Sequence, residues 1–472
     1  MNKSKLLGYA LGPLGTAALG FISLPLLTWF YSVEDVGKIS MLLLVMNLGI
    51  LTFCLGLDQA YVREYHEVNS KPALLRLVCT PSLLLMSLFA LFVLLFEPSI
   101  ISVLLYGTEN TYLALLTLFC IVFAVISRYL SLILRMQERA IAYSLSQLLP
   151  KLIFLLCIIG IVVSELPKTD VSLISAQFAS VFTVLLVLLW STRNEVHKSF
   201  IAKATHLKLT DLLKFALPLM AGGFAAFGLQ VMDKVFIRSF STFTELGVYS
   251  VTVSIAAVAS IFASIFNLIW SPMVYKWTSN GDLDLNIVDG ISEHLLAAIF
   301  FVMAIAGSFS FLLPYFLPEE YSAIQSLITV CLLAPLLYTL SETTAVGITL
   351  ARKTSLSMWA SVLALVINAF GNYILVEKFG AQGAAISTAV AFAAFYTLRT
   401  EFSRKVWRNM PTMKTYIVIV ILLITSILHC TYWQQSFMGN IMWALLLVLG
   451  LLTFKRSVIL GLSAFKKLVF KC

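Results

Sequence analysis

The run Leu6–Tyr31, LLGYALGPLGTAALGFISLPLLTWFY, decides the fold: 26 consecutive residues without a single Asp, Glu, Lys or Arg. About 20 apolar residues wound as an α-helix cross the ~30 Å hydrocarbon layer of a bilayer. A helix that is apolar all round at this length has lipid around it rather than water. Lys3 and Lys5 precede the run as they would in a signal peptide. The run is too long for a cleavable apolar core, so it is expected to stay as the first span.

Thirteen similar runs follow, at Ile39–Leu57, Leu74–Phe96, Thr111–Leu134, Ala142–Val163, Val171–Ser191, Leu212–Ile237, Leu246–Tyr275, Ile291–Phe316, Tyr321–Leu350, Leu356–Leu375, Ala381–Leu398, Tyr416–Cys430 and Ile441–Phe454. Composition agrees, with 60% hydrophobic and only 12% charged residues and a mean hydropathy of +0.96. A soluble globule carries about 25% charged residues, so this chain cannot cover its surface against water. The expectation is an all-α polytopic membrane protein of about fourteen spans. The count becomes twelve if the segments near Gly380 and after Pro411 do not each cross.

Orientation follows from where the positive charge sits, because Lys and Arg in short loops stay on the cytoplasmic side. With the N-terminus inside, 25 of the 32 Lys and Arg fall on inner segments, among them Arg63, Lys71, Arg76, Arg135, Arg139, Lys208, Arg352, Arg404, Arg408 and Lys455. Both termini are then cytoplasmic. The net charge of +9 is spread over every inner loop rather than gathered on one face, which argues against a nucleic-acid partner. The seven cysteines lie mostly within spans and lack metal-ligand spacing, so they read as small apolar residues.

A polar, basic stretch near the middle divides the chain, and short repeats support the division. Leu6-Leu7 with Ala10-Leu11 reappear as Leu212-Leu213 with Ala216-Leu217; Asp35-Val36-Gly37 with Ser40 reappear as Glu245-Leu246-Gly247 with Ser250. An even number of spans per repeat places both halves in the membrane in the same direction, related by an axis along the membrane normal. The expected organisation is a six-helix bundle over residues 1–191, a cytoplasmic linker at 192–211, a second six-helix bundle over 212–405, an extra helical hairpin at 406–455 and a basic tail at 456–472. Two such bundles around a shared cleft suit alternating access.

Charges inside spans cost at least about 2.5–3.5 kcal/mol each, so each needs a partner or a wet cavity. Lys151 lies near the middle of its span directly after Pro150, which should kink or break the helix and open a half-helix beside the ammonium. The alternative is a packing pair with an acid. Lys234 and Arg238, four apart, share a helix face with Gln230, facing either a cleft or the interface by snorkelling. Asp233 is placed to neutralise a cation from another helix or to carry a coupling proton. Arg128 is either cavity-exposed or snorkelling. Glu342, the one acid deep in the tenth span, is a candidate for ion coupling or for a structural pair. Asn368 and Asn372 share a face and should bond between helices. No metal or cofactor site and no enzyme constellation is visible, and without a Walker motif ATP is not hydrolysed by this chain.

Several ordered motifs resemble polysaccharide flippases of the Wzx type, in the superfamily that also includes MATE exporters and lipid II flippases. They are Val33-Glu34-Asp35-Val36-Gly37 with Ser40, Gly56-Leu57-Asp58-Gln59-Ala60-Tyr61-Val62-Arg63-Glu64-Tyr65, Asp233-Lys234 followed by Glu245-Leu246-Gly247-Val248-Tyr249-Ser250, Trp270 with Pro272, and Gly380 through Gly383-Ala384-Ala385-Ile386-Ser387-Thr388. The resemblance implies movement of an undecaprenyl-diphosphate-linked oligosaccharide, such as an O-antigen unit, from the inner to the outer leaflet of a bacterial cytoplasmic membrane. It further implies a cationic cavity to which Arg63, Arg128, Lys151, Lys234 and Arg238 supply the field. The polymerase and chain-length regulator of the same pathway are the partners it suggests, alongside membrane lipid. Two other readings stand beside it, a cation-coupled drug exporter of the same fold and a membrane glycan polymerase. The short outer loops weigh against the polymerase.

Overall fold

The computed structural model describes residues 3–202, 207–260, 266, 270, 273–275, 277–278, 280–282, 284–353, 355–434 and 436–460, with side chains 3–10 and 13 set aside. Lys466, Lys467 and Lys471 of the expected basic tail, Lys203 of the linker and Pro272 lie outside the described residues. The described residues are helical, without a strand: α1 Lys3–Phe30, α2 Val33–Phe53, α3 Leu57–Glu64, α4 Lys71–Phe96, α5 Ile100–Tyr106, α6 Thr111–Met136, α7 Ala140–Val163, α8 Asp170–Ile201, α9 Leu209–Phe240, α10 Phe243–Ala256, α11 Leu285–Phe309, α12 Ile324–Leu350, α13 Ser355–Val406, α14 Met413–Thr431 and α15 Phe437–Thr453. Among them, 11 helices are long and apolar enough to cross a membrane, with shorter apolar helices at Leu14–Phe30 and Phe437–Thr453. Thirteen of the apolar runs coincide with described helices. The eighth, Leu246–Tyr275, does so for its described part.

The repeat seen in the sequence is a pair of helix starts. Ser32 caps α2 by accepting from the Asp35 N–H at 3.1 Å, and Thr242 caps α10 by accepting from the Glu245 N–H at 3.2 Å. In both places an acid in the first turn meets the positive end of the helix dipole.

Two glycines set turns that the fold depends on. Leu55 and Gly56 both adopt positive φ, 54° and 69°, which stops α2 and starts α3. Gly56 also lies so close to the Ala216 carbonyl that no Cβ fits there. Gly380, with φ 51° and ψ −127°, divides the 52-residue α13 into two segments, each long enough to span a bilayer at 1.5 Å per residue. The freed N–H of Ala381 donates to the Glu245 carboxylate at 2.7 Å, and the Ser241 hydroxyl donates to the same oxygen at 2.9 Å.

Contacts group the residues into two units, one reaching to Phe227 and one starting at Gly228, so the division falls within α9. In the first unit α1 packs on α7, and α6 packs on α2 and α8. In the second, α12 is the central helix, with 78% of its apolar stretch buried and with α10, α11, α13 and α14 around it. The C-terminal hairpin is fastened to this unit at both ends. At one end Asn440 donates to the Gly307 carbonyl at 2.8 Å, and at the other Lys414 pairs with Glu293 and Arg408 with Asp289, each at 2.5 Å; within the hairpin the Trp443 indole donates to His429 Nδ1 at 3.0 Å.

Three details differ from the sequence expectations. The stretch from Thr192 to Ile201 continues α8 instead of starting a linker, since it has no Gly or Pro and Glu195 accepts from Gln137 at 2.8 Å. The stretches 58–71 and 97–110, which lie between apolar runs and carry no span in the sequence reading, hold most of α3 and all of α5. Helix α7 runs unbroken through Pro150, so no half-helix begins beside Lys151. The ring removes the one hydrogen bond that would reach the Ser146 carbonyl, and α7 keeps its course packed between α1 and α8; from α8 the Ser180 hydroxyl also donates to the Pro150 carbonyl at 2.7 Å.

A side chain at Gly380 meets both a left-handed backbone and the Glu245 carboxylate. Gly380→Ala should cost about 1–3 kcal/mol and lower the thermal midpoint of the detergent-solubilised protein. An unchanged midpoint would show that the turn carries no strain.

Candidate functional site

The intramembrane charges fall into two groups: those already satisfied by a neighbour, and those still lacking one. In the first unit, Arg128 on α6 grips Asp58 on α3, with Nε and Nη2 donating to one carboxylate oxygen at 3.1 and 2.8 Å. The adjacent Tyr129 hydroxyl lies 2.6 Å from the Ser82 hydroxyl. This cluster locks the turn at Gly56 to α4 and α6. The Arg128 charge is thereby neutralised locally. Arg63, at the end of α3, lies 4.3 Å over the Phe215 ring and 3.5 Å from Glu64. Its side chain is 54% exposed, so its guanidinium keeps most of its water.

Lys151 is different. It is half-buried on α7, one turn beyond Gln147, on the face that meets α1. Gly12, Gly15 and Thr16 of α1 give that face its close approach, and a Cβ at Gly12 or Gly15 would push the Gln147 or Leu148 side chain aside. The Thr16 hydroxyl donates to the Gln147 carbonyl at 3.3 Å. Among the described residues the Lys151 ammonium has no hydrogen-bond or ion-pair partner. An ammonium within a span and without an acid is costly unless an anion or water reaches it.

The second unit holds an acid in a comparable position. Asp233 on α9 is 3% exposed. Its Oδ2 accepts from the Tyr249 hydroxyl of α10 and, at 3.5 Å, from the Thr388 hydroxyl of α13. Behind Thr388 runs a relay of donors: the Asn372 amide donates to Asn368 Oδ1 at 3.1 Å, and the Asn368 amide donates to Thr388 Oγ1 at 3.0 Å. Each donor points toward the carboxylate. The other carboxylate oxygen has no partner among the described residues, and none of their cations pairs with it from another helix. Asp233 lines a cavity of about 420 Å³ with Gln230, Tyr249, Cys331, Tyr338 and Phe392 among its other walls. An acceptor oxygen left free in a cavity is chemistry for a proton or a small hard cation. No cluster of three or more His, Cys, Asp or Glu occurs among the described residues.

Lys234 and Arg238 follow on α9, both half-buried, with the Arg238 guanidinium 4.6 Å over the Phe243 ring. Glu342 is paired: the Arg399 guanidinium donates to it at 2.6 Å and to the Ser341 hydroxyl at 2.7 Å. Of the two acids considered for ion coupling, Asp233 is thus the one with an open oxygen. Asn368 bonds between helix segments, to Thr388, while Asn372 donates to Asn368 on its own segment, and through Thr388 both serve Asp233. Sequence reasoning missed Tyr249 and Thr388 as its partners, although both stand in the motifs Glu245–Ser250 and Gly380–Thr388.

A family model described as polysaccharide biosynthesis protein matches residues 4–277. No curated protein matches the sequence. Among solved structures, the fold is similar to the lipid II flippase MurJ in an inward closed conformation. That match has a TM-score of 0.67 and 14% identity, covering 98% of this chain and 99% of that one. It is also similar to a MATE transporter of Vibrio cholerae, VcmN, with a TM-score of 0.55 and 13% identity over 85% of this chain and 96% of that one. At such identities the likeness establishes the fold alone, that of a multi-pass membrane protein.

Removing one member of a buried pair strands the other. Asp58→Asn should cost about 3–5 kcal/mol, and the double variant Asp58→Asn with Arg128→Gln should recover most of it. Equal thermal midpoints for the single and double variants would contradict the pairing as the reason.

Proposed function

This chain belongs to the polysaccharide biosynthesis protein family, and we propose that it is a flippase for an undecaprenyl-diphosphate-linked oligosaccharide, an O-antigen or other surface-polysaccharide repeat unit. It moves this substrate by alternating access from the inner to the outer leaflet of the bacterial cytoplasmic membrane, with both of its own termini in the cytoplasm. The observation that carries the reading is Lys151, a half-buried ammonium inside a span with no partner among the described residues. A diphosphate supplies the anion this ammonium lacks, while the prenyl chain stays in lipid. Arg63, Lys234 and Arg238 add positive field along the route, whereas Arg128 serves it by holding the α2–α3 turn through Asp58. Asp233, with its open oxygen, couples the cycle to protons or sodium; Glu342, held by Arg399, is the second candidate.

A likeness in fold to the lipid II flippase, whose named substrate class is also a lipid-linked glycan, supports this reading. One observation favours a second reading. A buried carboxylate lining a cavity of about 420 Å³ is also what an exporter of cationic small molecules would present, and a MATE transporter shares the fold.

A charge-assisted hydrogen bond to phosphate contributes about 1.5–3 kcal/mol, which is roughly a 10- to 100-fold effect on binding. In the source bacterium Lys151→Gln should therefore deplete surface glycan and leave lipid-linked units in the inner leaflet at unchanged protein level, while Lys151→Arg retains function. Normal glycan in Lys151→Gln removes this residue from the route. Asp233→Asn should slow export and abolish its dependence on the ion gradient; a gradient dependence equal to wild type refutes coupling at Asp233. Loss of drug tolerance with intact glycan on deleting the chain selects the exporter.

A further inference from the structure

Helix α4 presents an apolar groove that neither the cation route nor the Asp233 cavity uses. Its cavity of about 350 Å³ is walled by Arg76, Leu77, Pro81 and Leu84 on one face of α4, with Leu207 and Leu209 at the start of α9 opposite. The groove continues onto Leu88, Leu91 and Leu95 of the same helix face, which are 64%, 52% and 70% exposed and so lie against lipid. At its other end stands Arg76, exposed, whose guanidinium has no partner among the described residues.

The charge around this end is unbalanced. Residues 71–84 and 207–214, which build the groove, hold Lys71, Arg76, Lys208 and Lys214 against a single acid, Asp211. The Lys71 ammonium lies 4.7 Å over the Tyr65 ring rather than on a carboxylate. An Arg whose carbon stem runs along an apolar wall places its guanidinium at headgroup level. A basic end and an apolar trough that opens to hydrocarbon match the two parts of one molecule, a phosphate headgroup and an acyl chain.

We propose that the α4 groove headed by Arg76 is a binding site for an anionic phospholipid, with its phosphate on Arg76 and one acyl chain along Leu77, Pro81 and Leu84. Each basic residue at a membrane surface favours an anionic over a neutral headgroup by about fivefold. The proposal does not depend on which substrate the protein carries.

The test is native mass spectrometry of the full-length protein in detergent, mixed with equal phosphatidylglycerol and phosphatidylcholine of the same chains. Wild type should retain phosphatidylglycerol with about a fivefold preference. Arg76→Gln should lose that preference at an unchanged thermal midpoint, since Arg76 holds no other residue. Thr80→Trp, placed in the groove, should reduce retention of both lipids. A wild-type preference in Arg76→Gln, or undiminished retention in Thr80→Trp, overturns the site. So does displacement of phosphatidylglycerol by undecaprenyl phosphate in a manner that depends on Arg76, which would assign the groove to the prenyl-linked substrate.

Discussion

Hydrocarbon offers no hydrogen-bond partner, so every backbone N–H and C=O within the bilayer must be satisfied by the chain itself. The helices of this chain answer that constraint, and so do the devices at their ends and interruptions. Where α13 turns at Gly380, the exposed N–H of Ala381 is taken up by Glu245. Ser32 and Thr242 begin their helices by satisfying an N–H with a side chain. These are places where a helix end or turn would otherwise leave a backbone N–H without a partner.

The same constraint sorts the charges. Arg128 with Asp58, Glu342 with Arg399 and Lys38 with Asp170 are pairs at 2.8, 2.6 and 2.9 Å, and each joins two helices within a unit. Such pairs fix geometry at little net energetic gain, because desolvation offsets the attraction. Lys151 and one oxygen of Asp233 depart from the pattern, remaining open among the described residues. A protein that must admit an anion or a cation into the membrane needs a few groups kept open, while its other charges are consumed in holding the helices together.

Much of this was legible in the sequence because it rests on short-range pattern. The apolar runs located the helices, and the Asp35 and Glu245 motifs marked two capped starts. Asn368, four residues from Asn372, announced the bond between helix segments that it makes to Thr388. Asp233 stood out as a charge inside a span. What the sequence did not disclose depends on contacts between distant residues. Nothing in the spacing tells that Arg128 meets Asp58, 70 positions away, or that Thr388 stands between Asn368 and Asp233. The short helices α3 and α5 are too brief for a periodic signal, so they read as loops. Pro150 was expected to interrupt α7 because the rule for proline considers one helix, whereas the packing that keeps α7 straight comes from α1 and α8.

The central claim, that this chain carries a lipid-diphosphate-linked oligosaccharide across the membrane, is tested most directly with purified protein in liposomes. A labelled undecaprenyl-diphosphate-linked glycan is placed in both leaflets, and its exposure to an added glycosidase is followed over time. If the claim holds, the protected pool becomes accessible in the presence of the protein, and far more slowly with Lys151→Gln. A protected pool that stays constant with wild-type protein, while a cationic dye is transported by the same vesicles, would contradict it.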